Sequence, residues 1–334
     1  MSSIDNILNV GRRVDPIIRR HLFEGADPSF RPVLQHQIAS GGKRVRAAMA
    51  IISCQASGGR VLDALYPAAA IELTHNYSLI LDDIIDRGDI RRGLPTVRAE
   101  YSEAIALLAA MFYREALDRI IEKSRSPTEV RRTVRSAIKE LIEGERLDIL
   151  FEQAGRPGPY IEKLRFRSAT IEDYLNMIRR KTAALIKAAC EVGAIAAGSP
   201  PRITKALKLY GEKVGLAFQV IDDYLDIFGE ETGKVRGKDL MEHKLGNAVI
   251  LYALEELTDL RRDELLNLLK KEKLSGEDLD KGMGLISQTG AKERAYKLGQ
   301  RLIHEGIAAL RPLKETRAKK GLIALAEFIG ERLY

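Results

Sequence analysis

The sequence predicts an all-α protein, a single large helical bundle. Three observations carry this expectation. Ala, Leu, Ile, Glu, Lys and Arg are abundant along the chain, and most of these residues favour helix. Alternating β-branched runs, the mark of a half-buried strand, are scarce. Glycine- and proline-rich breaks recur every ~20–30 residues, which suits helix–helix connections in one bundle. At 334 residues the chain is long enough for two domains. No linker or low-complexity tract divides it, so one domain over 1–334 is expected.

The elements follow in order. Gly41-Gly42-Lys43-Arg44-Val45-Arg46 places a flexible glycine pair and three basic residues at a helix start. Thr74 to Leu81 is apolar and helical, ending in Asp82-Asp83-Ile84-Ile85-Asp86. Over Glu103–Ser124, Ile105, Leu108, Ala109, Phe112, Ala116 and Ile120 recur at the helical period. Ser126-Pro127-Thr128-Glu129 reads as a restart, with Ser126 as N-cap, Pro127 at the first helical position and Glu129 three after the cap. That helix should run to about Gln153. Thr170 to Ala197 reads as one long helix, closed by Gly198-Ser199-Pro200-Pro201. Ile203 to Phe228 is the next helix. Gly229 to Gly246 reads as a polar loop, and helices resume at Asn247 with breaks near Leu274–Gly276 and Gln288–Gly290.

Composition limits the function classes. The 27 glycines and 11 prolines are near the soluble background, which excludes a collagen-like chain. A 45% hydrophobic and 30% charged chain is globular rather than disordered. The longest stretch free of Asp, Glu, Lys and Arg, Ala47 to Gly59, is too short to span a bilayer. No transmembrane segment and no secretory signal are expected. Cys54 and Cys190 lie in Ala/Ile-rich segments and read as buried apolar residues in a reducing, cytoplasmic compartment. A net charge of +7 suits an anionic partner. The chain is only 6% aromatic and has no Trp, which leaves few base-stacking platforms, so no nucleic acid is expected.

The chemistry sits in two acidic clusters. Asp82 and Asp86 are i and i+4, so their carboxylates share a helix face. Asp222-Asp223-Tyr224-Leu225-Asp226 repeats that spacing after the apolar run Val214 to Ile221. One such cluster can be a solvated helix end. Two with identical spacing suit Mg²⁺, which is held by one or two carboxylates and a substrate phosphate. Basic residues flank both clusters. Arg91-Arg92-Gly93 follows the first, Lys181-Thr182 lies upstream of the second, and Lys234, Lys238 and Lys244 lie beyond it. GGKRVR lacks the spacing of a Walker loop but places an anion near a helix N-terminus.

Taken in order, GGKRVR, His75 seven residues before the first acidic cluster, Arg91-Arg92-Gly93, Lys181-Thr182, Phe218-Gln219-Val220-Ile221-Asp222-Asp223-Tyr224-Leu225-Asp226 and Gly233-Lys234 resemble the trans-isoprenyl diphosphate synthases. Short-chain farnesyl and geranylgeranyl diphosphate synthases belong to that family. The resemblance implies the isoprenoid synthase fold, an all-α bundle around a deep cavity with the two Asp motifs facing each other at its mouth, and usually a homodimer. It implies a magnesium set of Asp82, Asp83, Asp86, Asp222, Asp223 and Asp226, with three Mg²⁺ per active site. Lys43, Arg46, His75 and Arg92 would hold isopentenyl diphosphate. Arg91, Lys181, Lys234 and Lys244 would hold the allylic diphosphate, and Thr182 and Gln219 would line the place where the allylic cation forms. Two positions depart from the family pattern. Leu81 stands where His is common, and Lys244-Leu245-Gly246-Asn247 replaces a common Lys-x-Thr.

Product length follows from the same resemblance. Residues just before the first Asp motif form a floor under the growing chain. Tyr77 lies five positions before Asp82 and Ser78 four, which looks like the geranylgeranyl type of archaeal members. At 1.5 Å per residue Tyr77 is about 7.5 Å down the helix. The alternatives are a farnesyl or geranylfarnesyl diphosphate synthase, a terpene cyclase, or a non-catalytic partner subunit. A cyclase usually has a Ser/Thr- and Glu-bearing second motif and binds one diphosphate. A partner subunit typically loses an Asp motif.

Overall fold

The computed structural model describes residues 3–229 and 237–331. The all-α expectation is borne out. Among these residues the only sheet is a hairpin of Ile90–Arg91 with Leu94–Pro95. The chain forms two compact units, each drawn from three separated segments. The first comprises Met1–Ile138, Leu185–Gly211 and Ala309–Leu325, the second Lys139–Ala184, Glu212–Ala308 and Ala326–Tyr334.

In the first unit the helix Val61–Ile85 is buried on nearly every side, as expected of a helix apolar all round. It packs on Val45–Ala56 and Glu103–Glu122. The Val45–Ala56 helix buries everything from Ala47 to Cys54. Gly193 lets the backbone carrying Cys190 come close here: a Cβ would lie 2.8 Å from Ser53 Cβ and 3.0 Å from the Cys54 nitrogen. Both cysteines are free and buried, and burial pushes both thiols up to about 12, so neither is a ready nucleophile. On Glu103–Glu122, Leu107, Leu108 and Met111 are exposed and form one apolar row.

The second unit carries the corrections to the expected elements. The helix expected over Thr170–Ala197 begins as predicted, with Thr170 and Asp173 forming a capping box. It is then interrupted by a π-helical turn, Arg179–Ala183, before Ala184–Ala196 resumes. The stretch read as loop to Gly246 contains a short helix, Lys238–Met241. Asn247 caps Ala248–Glu256 by accepting from the Val249 and Ile250 amides. The later breaks fall where expected, with Ser275 and Asp278 boxing the start of Gly276–Ser287.

Candidate active site

In the first unit the acidic cluster occupies the last turn of Val61–Ile85, with Asp86 as its C-cap. The Asp86 amide donates to the Asp82 carbonyl at 2.8 Å, so helical register holds and the two carboxylates share a face. Asp82 is half-buried, Asp86 exposed and Asp83 buried. Arg91 forks between Asp82 and Asp83, donating from Nε to Asp83 Oδ1 at 2.8 Å and from Nη2 to Asp82 Oδ2 at 2.7 Å. Burial raises the Asp83 pKa, and Arg91 offsets part of that rise.

Arg91 and Arg92 project from the hairpin, whose two turn residues Arg92 and Gly93 have φ of 55° and 78°. Positive φ at both positions defines the type I′ turn that matches strand twist. His36 Nε2 donates to the Pro95 carbonyl at 2.8 Å, and Thr96 Oγ1 donates to Gly88 at 2.8 Å. The sequence showed the basic pair but no strand signal long enough to reveal this hairpin.

The GGKRVR segment divides its labour. Arg44 has a left-handed backbone at φ 52° and a buried side chain. It donates to Asp15 Oδ1 at 2.8 Å, to the Ile38 and Gly41 carbonyls at 3.2 Å each, and to Glu72 at 3.5 Å. It is therefore the anchor of the loop rather than an anion ligand. Arg46 donates from Nη1 to His75 Nε2 at 3.1 Å, and its buried Nε has no partner. Arg92 donates to the Gly41 carbonyl. Its guanidinium lies against Gly42, where a Cβ would come within 2.8 Å of Nη1. Burial lowers the pKa of both Arg46 and Arg92. Lys43 is exposed on the same loop. Two crowded guanidiniums, one with an orphan donor, suit a diphosphate.

His75 is neutral, because its pKa falls well below 6.5 through burial and then through Arg46, Arg92, Arg91 and Arg44. It accepts from Arg46 at Nε2 and so carries its proton on Nδ1. A histidine whose pKa is depressed on folding stabilises the fold above its unfolded value. That stability is lost as pH falls from about 6.5 toward the folded value, because the unfolded chain binds the proton more readily. His75→Asn should therefore flatten the decline of the unfolding midpoint between pH 7 and pH 5. An unchanged slope would count against a neutral His75.

In the second unit the π turn carries Lys181 and Thr182. Extra backbone turns of this kind recur at functional sites, and here glycines flank it. A Cβ on Gly144 would lie 2.5 Å from Lys181 Cα, and one on Gly215 would lie 2.6 Å from Ala183 Cα. Lys181 Nζ sits 2.6 Å from Asp148 Oδ2 and 2.9 Å from Glu145 Oε2. Thr182 donates to Gln219 Oε1 at 2.8 Å, and Gln219 Nε2 donates to Asp223 Oδ1 at 3.0 Å. The Ala248 amide donates to Asp223 Oδ2 at 2.9 Å, so the protein engages both oxygens of this buried carboxylate. Asp222 is half-buried. Asp226 accepts from the Lys238 and Asp239 amides at 3.1 Å each.

Sequence reasoning missed Asp239, which accepts from Asn247 Nδ2 at 2.7 Å; its one signal was the adjoining Lys238. Burial raises the pKa of Asp223, Asp226 and Asp239. For the first two, repulsion from Asp239 adds to the effect, and Asp226 reaches about 6. Lys244 pairs with Glu242 at 2.9 Å and lies 3.7 Å from Asp148. The Lys-x-Thr departure has a steric cause, because a Cβ on Gly246 would already lie 3.0 Å from the Phe151 ring. Lys234 lies outside the described residues.

The residues fit Mg²⁺. Both motifs place carboxylates in the last turns of a helix, where the macrodipole is negative and acidic side chains are unfavourable. Among the described residues no three Asp, Glu, His or Cys side chains form a metal site alone. Asp82 with Asp86 and Asp222 with Asp226 each offer a few hard oxygens at i and i+4, the donor set of an ion that completes its shell with phosphate and water.

Residues 27–286 match the model of the polyprenyl synthetase family. The short chain isoprenyl diphosphate synthase of Methanothermobacter thermautotrophicus is 34% identical over 99% of both chains. The geranylgeranyl diphosphate synthase of Methanosarcina mazei is 31% identical over 100% of this chain and 99% of its own. The crystal structure of geranylgeranyl pyrophosphate synthetase from Pyrococcus horikoshii superposes with a TM-score of 0.87 at 31% identity, covering 99% of each chain. The chain belongs to the polyprenyl synthetase family. The resemblance read from its motifs is borne out, and with it the isoprenoid synthase fold and a short-chain trans-prenyltransferase activity. The family uses Mg²⁺ for diphosphate ionisation. No helix among the described residues is long and apolar enough to cross a membrane.

Proposed function

We propose that the protein condenses isopentenyl diphosphate with an allylic diphosphate (dimethylallyl, geranyl or farnesyl) and makes geranylgeranyl diphosphate. The observation that carries this reading is that each unit holds one helix-end Asp motif together with cations of its own: Arg91, bound to Asp82 and Asp83, with Arg46 and Arg92 in the first, and Lys181 and Lys244, gathered on Asp148, in the second. Arg46 and Arg92, with neutral His75 and Lys43, bind isopentenyl diphosphate. Arg91, Lys181, Lys234 and Lys244 bind the allylic diphosphate. Asp82, Asp86 and Asp222 hold Mg²⁺, three ions per active site, and Asp226 joins them. Asp83 and Asp223 stand behind, engaged by Arg91 and by Gln219 with the Ala248 amide. Bound Mg²⁺ supplies positive charge to the leaving diphosphate.

The side chains do the rest. Lysine and arginine donors bind the diphosphate oxygens as negative charge develops there. Thr182 and Gln219, tied to each other, present oxygen dipoles to the allylic cation, which must be kept from water that would quench it. No side chain at these positions is poised as a general base, so the released diphosphate takes the proton. The test is condensation of radiolabelled isopentenyl diphosphate with geranyl diphosphate. Product forms with Mg²⁺ and disappears on chelation, and product that survives chelation would contradict the metal assignment.

Tyr77 is buried, and burial pushes its phenol up to about 12, so it is a neutral, bulky floor. Tyr77→Ala should lengthen the product by one or more isoprene units, and unchanged chain length in the same assay would refute that role. The protein acts in the cytoplasm as a homodimer, with Leu107, Leu108 and Met111 covered by the second copy. Light scattering that gave the mass of one chain would argue against the dimer.

A further inference from the structure

We infer that Asp148 is a positioning residue that sets Lys181 and Lys244 together for the allylic diphosphate; this rests on the proposed function. Asp148 lies one turn beyond Gly144 on the helix Pro127–Phe151, so both face the same side. Gly144 lets the π turn come against that side, which brings Lys181 within 2.6 Å of Asp148 Oδ2. Lys244 reaches the same oxygen at 3.7 Å. Its backbone is pinned there as well. Glu152 and Lys244 form an isolated antiparallel bridge, the Gln153 amide donates to His243 at 3.0 Å, and the Leu245 amide donates to Phe151 at 3.2 Å.

Asp148 is only 5% exposed. Left alone at that depth a carboxylate would take up a proton. The two ammoniums outweigh burial and hold it ionised, with its pKa down to about 2. One buried anion thus fixes two long, flexible cations at a set spacing before any ligand arrives, and lysine rotamer freedom is the usual obstacle to such placement. Of these two lysines Glu145 pairs with Lys181 and Glu242 with Lys244, whereas Asp148 lies within ion-pair distance of both. Its role is therefore geometric coupling, and no contact of its own with substrate is required.

The experiment compares Asp148→Asn, Lys181→Ala and the double variant with the wild-type chain by steady-state kinetics and thermal unfolding. Asp148→Asn should raise KM for the allylic diphosphate or lower kcat by on the order of tenfold or more, leaving KM for isopentenyl diphosphate unchanged. The double variant should fall short of the product of the two single defects, because part of the effect of Asp148 runs through Lys181. If Asp148→Asn fails to fold, Asp148→Glu keeps the charge but displaces it and should show the same selective defect. Equal defects toward both substrates, or multiplicative effects in the double variant, overturn the inference while the proposed function stands. A wild-type chain that forms no prenyl product overturns both.

Discussion

Asp82→Ala and Asp222→Ala should each lower the rate of product formation by on the order of 10²–10³-fold, the usual effect of removing one preorganised electrostatic partner of a transition state. Folding should survive both changes. Asp82 is half-buried at a helix C-terminus, where a carboxylate opposes the macrodipole. Arg91 would keep its bond to Asp83. Asp222 is also half-buried. Circular dichroism and the unfolding midpoint should match those of the unsubstituted chain. Near-normal rates in either variant would contradict the metal assignment. Asp83→Ala is the instructive contrast, because it removes the buried partner of Arg91 and should cost stability as well as rate.

Gly144→Ala should be the most damaging single methyl group in the second unit. A Cβ there would meet Lys181 Cα at 2.5 Å and the Arg180 carbonyl carbon at 2.7 Å. These are backbone atoms that cannot rotate away. The π turn must shift or the helices must separate, and overpacking of this kind costs about 1–3 kcal/mol. The unfolding midpoint should fall by several degrees. Condensation should fall further than stability explains, because Lys181 and Thr182 move with the turn. A variant with normal stability and normal kinetics would show that the close approach is not required.

Legibility in the sequence followed the range of the interactions. Periodicity and caps marked the helices because those signals are local: Thr170 with Asp173, and the restart at Pro127, are spelled out within four residues. The Asp pairs were legible for the same reason, since i and i+4 share a face wherever a helix forms. The π turn at Arg179–Ala183 was not. Its composition is ordinary helix, and its cause lies in Gly144 and Gly215, far away in the chain. The hairpin of Arg91 and Arg92 was hidden by its two-residue strands. Arg44 was grouped with Lys43 and Arg46 because adjacency cannot show that its partners are Asp15 and Glu72. Asp239 and Asp148 stand outside both Asp motifs, and only packing reveals what they hold.

Chain elongation ending at geranylgeranyl diphosphate is the proposed activity. It is tested most directly by incubating the purified protein with Mg²⁺, radiolabelled isopentenyl diphosphate and, in separate reactions, dimethylallyl, geranyl or farnesyl diphosphate, then separating the dephosphorylated products by chain length. Every accepted starter should be extended, and label should accumulate as geranylgeraniol. No condensation product from any of the three starters, or label accumulating at another chain length, would contradict it.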